Sequence, residues 1–166
     1  MKKVQAKLNK AIKIIKPYLL TFVFLLCAHS SAFVLCCIFN RPQTAWFSQL
    51  EKSVLYPPEI LFPFFWVIVY LLLIFNCTVI VYKTKSTLLI INIASTLVLH
   101  ILWNLFFFTL HSPLFGFLIL LALVVLSIRL LKVSFRVNKV IGSLTIIYVA
   151  WLSYLTILNY FIILIN

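Results

Sequence analysis

The chain has 166 residues, 65% of them hydrophobic and only 10% charged, with a formal net charge of +12. Soluble domains keep about a quarter of their residues charged, so a water-soluble fold of this length is excluded: it could not hide that much apolar surface. The surplus of Lys and Arg does not mark a nucleic-acid binder, because the charges sit between apolar runs and not on an aromatic-studded soluble face. They read as loop charges set by membrane topology.

Residues 1–16 form a basic segment. Lys2, Lys3, Lys7, Lys10, Lys13 and Lys16 surround Val4, Leu8, Ile12 and Ile15, which recur at helical spacing. The pattern fits a short helix lying on an anionic surface, and equally a frayed charged tail. Residues 17–166 read as one transmembrane domain. Its apolar runs are Pro17–Phe39, Ile60–Tyr82, Thr87–Leu110, Pro113–Leu131 and Val140–Ile165. Each is close to the ~20 residues that a helix needs to cross the hydrocarbon. The first is too long for the apolar core of a signal peptide. Lipid offers backbone polar groups no partner, so the runs are helices, and the alternation of a membrane barrel is absent. The fold class is therefore an all-α membrane protein, a bundle of five transmembrane helices. With two glycines in the chain, glycine pairs are not its main packing device. Cys27, Cys36, Cys37 and Cys77 all fall in spans. They have no metal-binding spacing and read as small buried apolar residues.

Charge bias orients the bundle. The N-terminal lysines, Lys83 and Lys85, and Arg129, Lys132, Arg136 and Lys139 share one side of the membrane; Arg41 and Lys52 lie on the other. The positive-inside rule then puts the N-terminus in the cytoplasm and the C-terminus outside a cell membrane. The long first loop, with Glu51 and Glu59, faces outward.

Conventional catalysis has little to work with. The chain has no Asp, and no phosphate-binding glycine loop, metalloprotease helix or nucleophile elbow. No catalytic or metal-binding set follows, although a redox or photochemical activity residing in a bound ligand stays open. The aromatic residues are more informative. Phe62, Trp66 and Tyr70 step by four along the second span. Thr96, His100, Trp103 and Phe107 lie on one face of the third, and Tyr148, Trp151, Leu155 and Leu158 on one face of the fifth. Three such stripes could line a pocket for a flat apolar ligand. They also serve elsewhere as plain packing or interface belts.

The same positions carry a family likeness. Trp46, Phe47, Leu50 and Lys52 stand as Trp-aromatic-x-x-Leu-x-Lys. Pro57 and Pro58 follow, then Phe62, Trp66 and Tyr70. Trp103, Asn104, Phe107, Phe108, His111 and Pro113 match a Trp-Ser-x-x-Phe-Phe-x-x-His-x-Pro stretch, with Asn104 in place of Ser. Arg136 and Val137 precede Asn138, where an aspartate is usual. Tyr148, Ala150, Trp151, Leu158 and Asn159 complete the order in the fifth span. From about Trp46 onward the chain resembles the TspO/MBR family: tryptophan-rich sensory proteins, translocator proteins and peripheral-type benzodiazepine receptors.

The resemblance implies a first loop folded as a lid over a tetrapyrrole site for protoporphyrin IX or haem, with no obligatory cofactor. It implies a homodimer as well. The ligand-binding set it suggests is Trp46 and Tyr56 from the lid, with Phe62, Trp66, His100, Trp103, Phe107, Tyr148, Trp151 and Leu155 from the bundle. Some bacterial members are linked to light-dependent porphyrin breakdown, for which Trp66 and Trp151 would be the residues. His100 stands where the family has asparagine. It is read either as a structural hydrogen-bond partner or as a ligand to a tetrapyrrole metal. Leu155 replaces a small residue and should narrow the pocket. Tyr160 is followed by "FIILIN", without the basic residue of the family's sterol-associated stretch, so a sterol ligand is not expected. The expected function is a membrane receptor, carrier or degrader of porphyrins. The alternative is a regulatory or scaffolding membrane protein that acts through protein partners.

Overall fold

A computed structural model describes residues 2–40 and 45–166. Arg41, used above in the charge bias, lies outside the described residues, as do the side chains of Val4 and Leu8. The elements are α1 (Lys2–Phe39), α2 (Ala45–Gln49), α3 (Leu61–Thr84), α4 (Thr87–Asn104), α5 (Pro113–Val137) and α6 (Lys139–Ile165), with a π-helical turn at Leu105–Thr109. Five stretches are long and apolar enough to cross a membrane: Ile15–Phe39, Leu61–Thr84, Thr87–Thr109, Pro113–Val137 and Lys139–Ile165. The expected five-helix bundle is what the chain forms.

Several boundaries differ from the expected ones for physical reasons. The basic segment is neither a separate helix nor a coil but continues into the first span, giving one helix of 38 residues. At 1.5 Å per residue it is about 57 Å long, against ~30 Å of hydrocarbon, so its lysine-rich end projects past the apolar layer. Pro17 does not stop it. That residue is exposed at the edge of the apolar span, where water can serve the carbonyl that proline leaves without a donor. α5 runs on from Leu131 to Val137. Arg129 and Lys132 therefore sit within the helix and Arg136 on its last turn, where a cation meets the negative end of the helix dipole.

The breaks between helices are short and chemically defined. Ser86 accepts from the Leu89 N–H at 3.4 Å to start α4. Asn138 is the whole α5–α6 connection, and its side chain accepts from the Val140 N–H at 2.7 Å. Pro113 opens α5, where its missing N–H costs nothing. In the interior, α5 lies along α6, α4 packs on α5, and α1 packs on α3 and α4. Asn76 of α3 donates to the Thr145 hydroxyl of α6 at 3.4 Å, and Thr145 donates to the Ser134 hydroxyl of α5 at 2.9 Å. Lipid-facing positions are apolar, as Phe64, Leu71, Leu118 and Val125 show. The cysteines divide: Cys36 and Cys77 are buried as expected, whereas Cys27 and Cys37 are exposed.

Candidate functional site

A cavity of about 300 Å³ opens at the end of the bundle beneath the first loop. α3 contributes Phe62, Pro63, Trp66 and Tyr70. Trp103 and Asn104 of α4 continue the lining, with Phe107 and Phe108 from the π-helical turn. Leu155, Leu158, Asn159 and Ile162 come from α6. The π-helical turn is what brings two successive phenylalanines inward. Leu110 N–H bonds back to the Leu105 carbonyl at 2.9 Å and Ser112 N–H to the Phe106 carbonyl at 2.9 Å. The widened turn rotates Phe107 and Phe108 so that both are buried. Trp103 and Phe107 then lie nearly parallel, 23° apart with centroids at 5.9 Å.

The first loop is the roof. α2 drives Phe47 into the cavity, where it is 2% exposed and packs on Phe108 at 5.3 Å. Tyr56 covers Phe62 at 5.1 Å. Pro57 and Pro58 keep the loop extended until the turn in which the Leu61 N–H bonds to the Pro58 carbonyl at 2.9 Å; α3 begins there. Pro63 falls within the first helical turn, where no donor is lost. Few of the hydrogen bonds seen among the described residues tether the roof to the bundle. Asn166 accepts from the Glu51 N–H at 2.9 Å and donates to the Glu51 carbonyl at 3.1 Å. The Tyr154 hydroxyl donates to the Leu55 carbonyl at 2.7 Å. Within the roof, Lys52 pairs with Glu59 and holds its ammonium 4.4 Å from the Phe47 ring centroid. Glu59 thus meets a cation in addition to lying near the start of α3. Burial, then the neighbouring Glu59 charge, push the Tyr56 phenol above its ordinary value, so it is neutral at pH 7.

Of the expected ligand-binding residues, Tyr56, Phe62, Trp66, Trp103, Phe107 and Leu155 line this cavity. Trp46 does not. It caps the rim from outside, stacked on His111 at 4.5 Å and 17°. Trp151 also lies off the lining, between Phe65 at 5.0 Å and Trp66 at 5.9 Å. It supports the wall that Trp66 presents. His100 and Tyr148 sit one layer deeper, each 1% exposed. This corrects the expectation that His100 faces the ligand. Its Nε2 is 3.2 Å from the Tyr148 hydroxyl and its Nδ1 3.5 Å from the Tyr70 hydroxyl, so neither nitrogen is directed at the cavity to bind a metal.

The α1 wall escaped the sequence reading. Phe33, Cys36, Cys37 and Asn40 line the cavity at a spacing of three, one and three, which is one helix face. In a run that is apolar on every side, that face carried no contrast. Polar atoms on the lining are a second omission. The Trp103 indole N–H, the Asn40 side-chain oxygen and both amide atoms of Asn159 are buried without a hydrogen-bond partner among the described residues. Gly116 leaves the space that Asn159 occupies: a Cβ there would stand 3.0 Å from Asn159 Nδ2.

Comparison with known proteins agrees with this architecture. The model of the TspO/MBR family matches residues 18–165. A curated relative, the tryptophan-rich protein TspO of Chlorobaculum tepidum, is 25% identical over 130 residues, covering 76% of this chain and 82% of the relative.

Proposed function

Because the chain belongs to the TspO/MBR family and is a multi-pass integral membrane protein, we propose that it binds a tetrapyrrole in the cavity beneath the first loop. One observation carries the reading: a cavity inside a lipid-facing bundle is lined by a contiguous set of broad aromatic rings, Trp66 tilted against Trp103 with centroids 5.9 Å apart and Trp103 nearly parallel to Phe107. Flat rings offer a flat apolar ligand area and stacking geometry together. About 300 Å³ is the lower end of the ~300–1,000 Å³ typical of ligand sites, so a macrocycle enters by lifting the roof. Lifting it breaks the exposed tethers and draws the Phe47 ring out of its packing on Phe108. The N-terminus lies in the cytoplasm and the cavity opens on the outer side in this reading, following the charge bias.

Titration of the detergent-purified protein with protoporphyrin IX, followed by tryptophan fluorescence, tests the proposal. Saturable quenching that weakens on Trp66→Ala is the expected result. Quenching that rises linearly without saturation and ignores that substitution refutes it, and favours a protein that works through partners.

A further inference from the structure

Stacking makes no use of a hydrogen-bonded chain at the inner end of the cavity. Tyr70 lines the cavity; His100 lies behind it and Tyr148 behind His100. A neutral imidazole has one N–H and one acceptor nitrogen, so one tyrosine donates to the ring and the other accepts from it. Tyr148 is 1% exposed, and its hydroxyl bonds only to His100 among the described residues. Were Tyr148 the acceptor, its own proton would be buried with nothing to receive it, which native interiors avoid. Tyr148 therefore donates to Nε2, the imidazole proton sits on Nδ1, and Nδ1–H donates to the Tyr70 oxygen. The Tyr70 proton is left over. Its one other partner is the Cys36 sulfur at 3.7 Å, a weak acceptor.

A second donor stands nearby. The Trp103 indole N–H is buried on the lining with no partner among the described residues. Trp66 packs against both rings, 6.0 Å from Tyr70 and 5.9 Å from Trp103. The adjacent Asn104 amide spends one of its two N–H groups on the His100 carbonyl at 2.9 Å. No Lys or Arg is among the described lining residues, and the lining carboxylate, Glu59, is already paired with Lys52. An anionic oxygen would therefore be desolvated here without a counter-charge, whereas a neutral acceptor fits.

We propose that the inner end of the cavity is a subsite for a neutral carbonyl oxygen of the ligand, with the Tyr70 hydroxyl and Trp103 indole as donors. His100 and Tyr148 act as positioning residues that fix the direction of the Tyr70 proton. The inference rests on the tetrapyrrole reading of this cavity and adds which group enters first: an ester, amide or lactam carbonyl, or a propionic acid side chain in its protonated form.

Two uncharged porphyrins test it on the purified full-length chain: protoporphyrin IX dimethyl ester, which carries ester carbonyls, and etioporphyrin, whose substituents are all alkyl. The ester should bind several-fold more tightly. Tyr70→Phe should cut that preference by roughly 2- to 12-fold, the range for one neutral hydrogen bond, and spare etioporphyrin. Tyr148→Phe alters no lining residue. It should nonetheless erode the preference, because the imidazole proton can then move to Nε2 and turn the Tyr70 hydroxyl toward Nδ1. A purely structural role for Tyr148 would instead weaken both porphyrins alike and would overturn the positioning role. Equal binding of ester and etioporphyrin by the unaltered protein overturns the subsite and leaves the tetrapyrrole reading standing. Tighter binding of the free diacid than of the ester at pH 8 overturns the neutral-carbonyl assignment. Saturable binding of neither porphyrin overturns the tetrapyrrole reading, and this inference with it.

Discussion

Asn166→Ala should loosen the roof without disturbing the bundle. The side chain makes two bonds to the Glu51 backbone, at 2.9 and 3.1 Å. Both are exposed, so water replaces them readily and each is worth the low end of the usual range, ~0.5 kcal/mol. Their loss shifts roof opening by about 1 kcal/mol, or roughly fivefold in the equilibrium. Hydrogen exchange is the assay: amides in residues 45–56 should exchange about fivefold faster, with α5 unchanged as an internal reference. Porphyrin association should quicken by a similar factor if ligand enters by way of the roof. Unchanged exchange in residues 45–56 would refute the idea that Asn166 tethers the roof. Faster exchange throughout the bundle would refute the separation of roof from core.

Trp66→Ala removes a lining face and should cost porphyrin binding about 1.5–3 kcal/mol. Trp151→Ala removes only the support behind it and should cost less, as parallel titrations will show. Cys37 lines the cavity and is exposed, so a small uncharged maleimide should label it, and bound porphyrin should protect it. Cys27 is exposed elsewhere and its labelling should not change; equal protection of both would argue against this cavity. Reporter fusions should place the C-terminus outside and the Thr84–Lys85 turn inside. A cytoplasmic C-terminus would mean that the charge bias is overridden.

What the sequence made legible was the number and class of the helices, because spans depend on length and apolarity alone. Their ends were less legible. The last turns of α5 carry Arg129, Lys132 and Arg136, and charge there looks like a loop although, at Arg136 on the last turn, it suits a helix C-terminus. Helix facing was the hardest quantity to read. In water an apolar stripe marks the buried face, but in lipid both faces are apolar and the contrast disappears. The stripe Phe62, Trp66, Tyr70 was found because its rings are large, whereas Phe33, Cys36, Cys37 and Asn40 were passed over on the equally apolar α1.

Depth along a helix was the other missing coordinate, and His100 shows why it matters. The step from His100 to Trp103 and Phe107 correctly puts the three on one face of a helix. It does not say that, on α4, the cavity lining stops at Trp103. Tyr70 reaches the level of His100 from α3, and Tyr148 reaches it from α6; together they close the space above the imidazole. A mid-membrane polar side chain has to be satisfied by whatever the neighbouring helices bring, and here they bring two hydroxyls, one for each nitrogen. The histidine is thereby removed from direct contact with a ligand. It keeps a route to the cavity through Tyr70, the one member of the three-residue chain on the cavity lining.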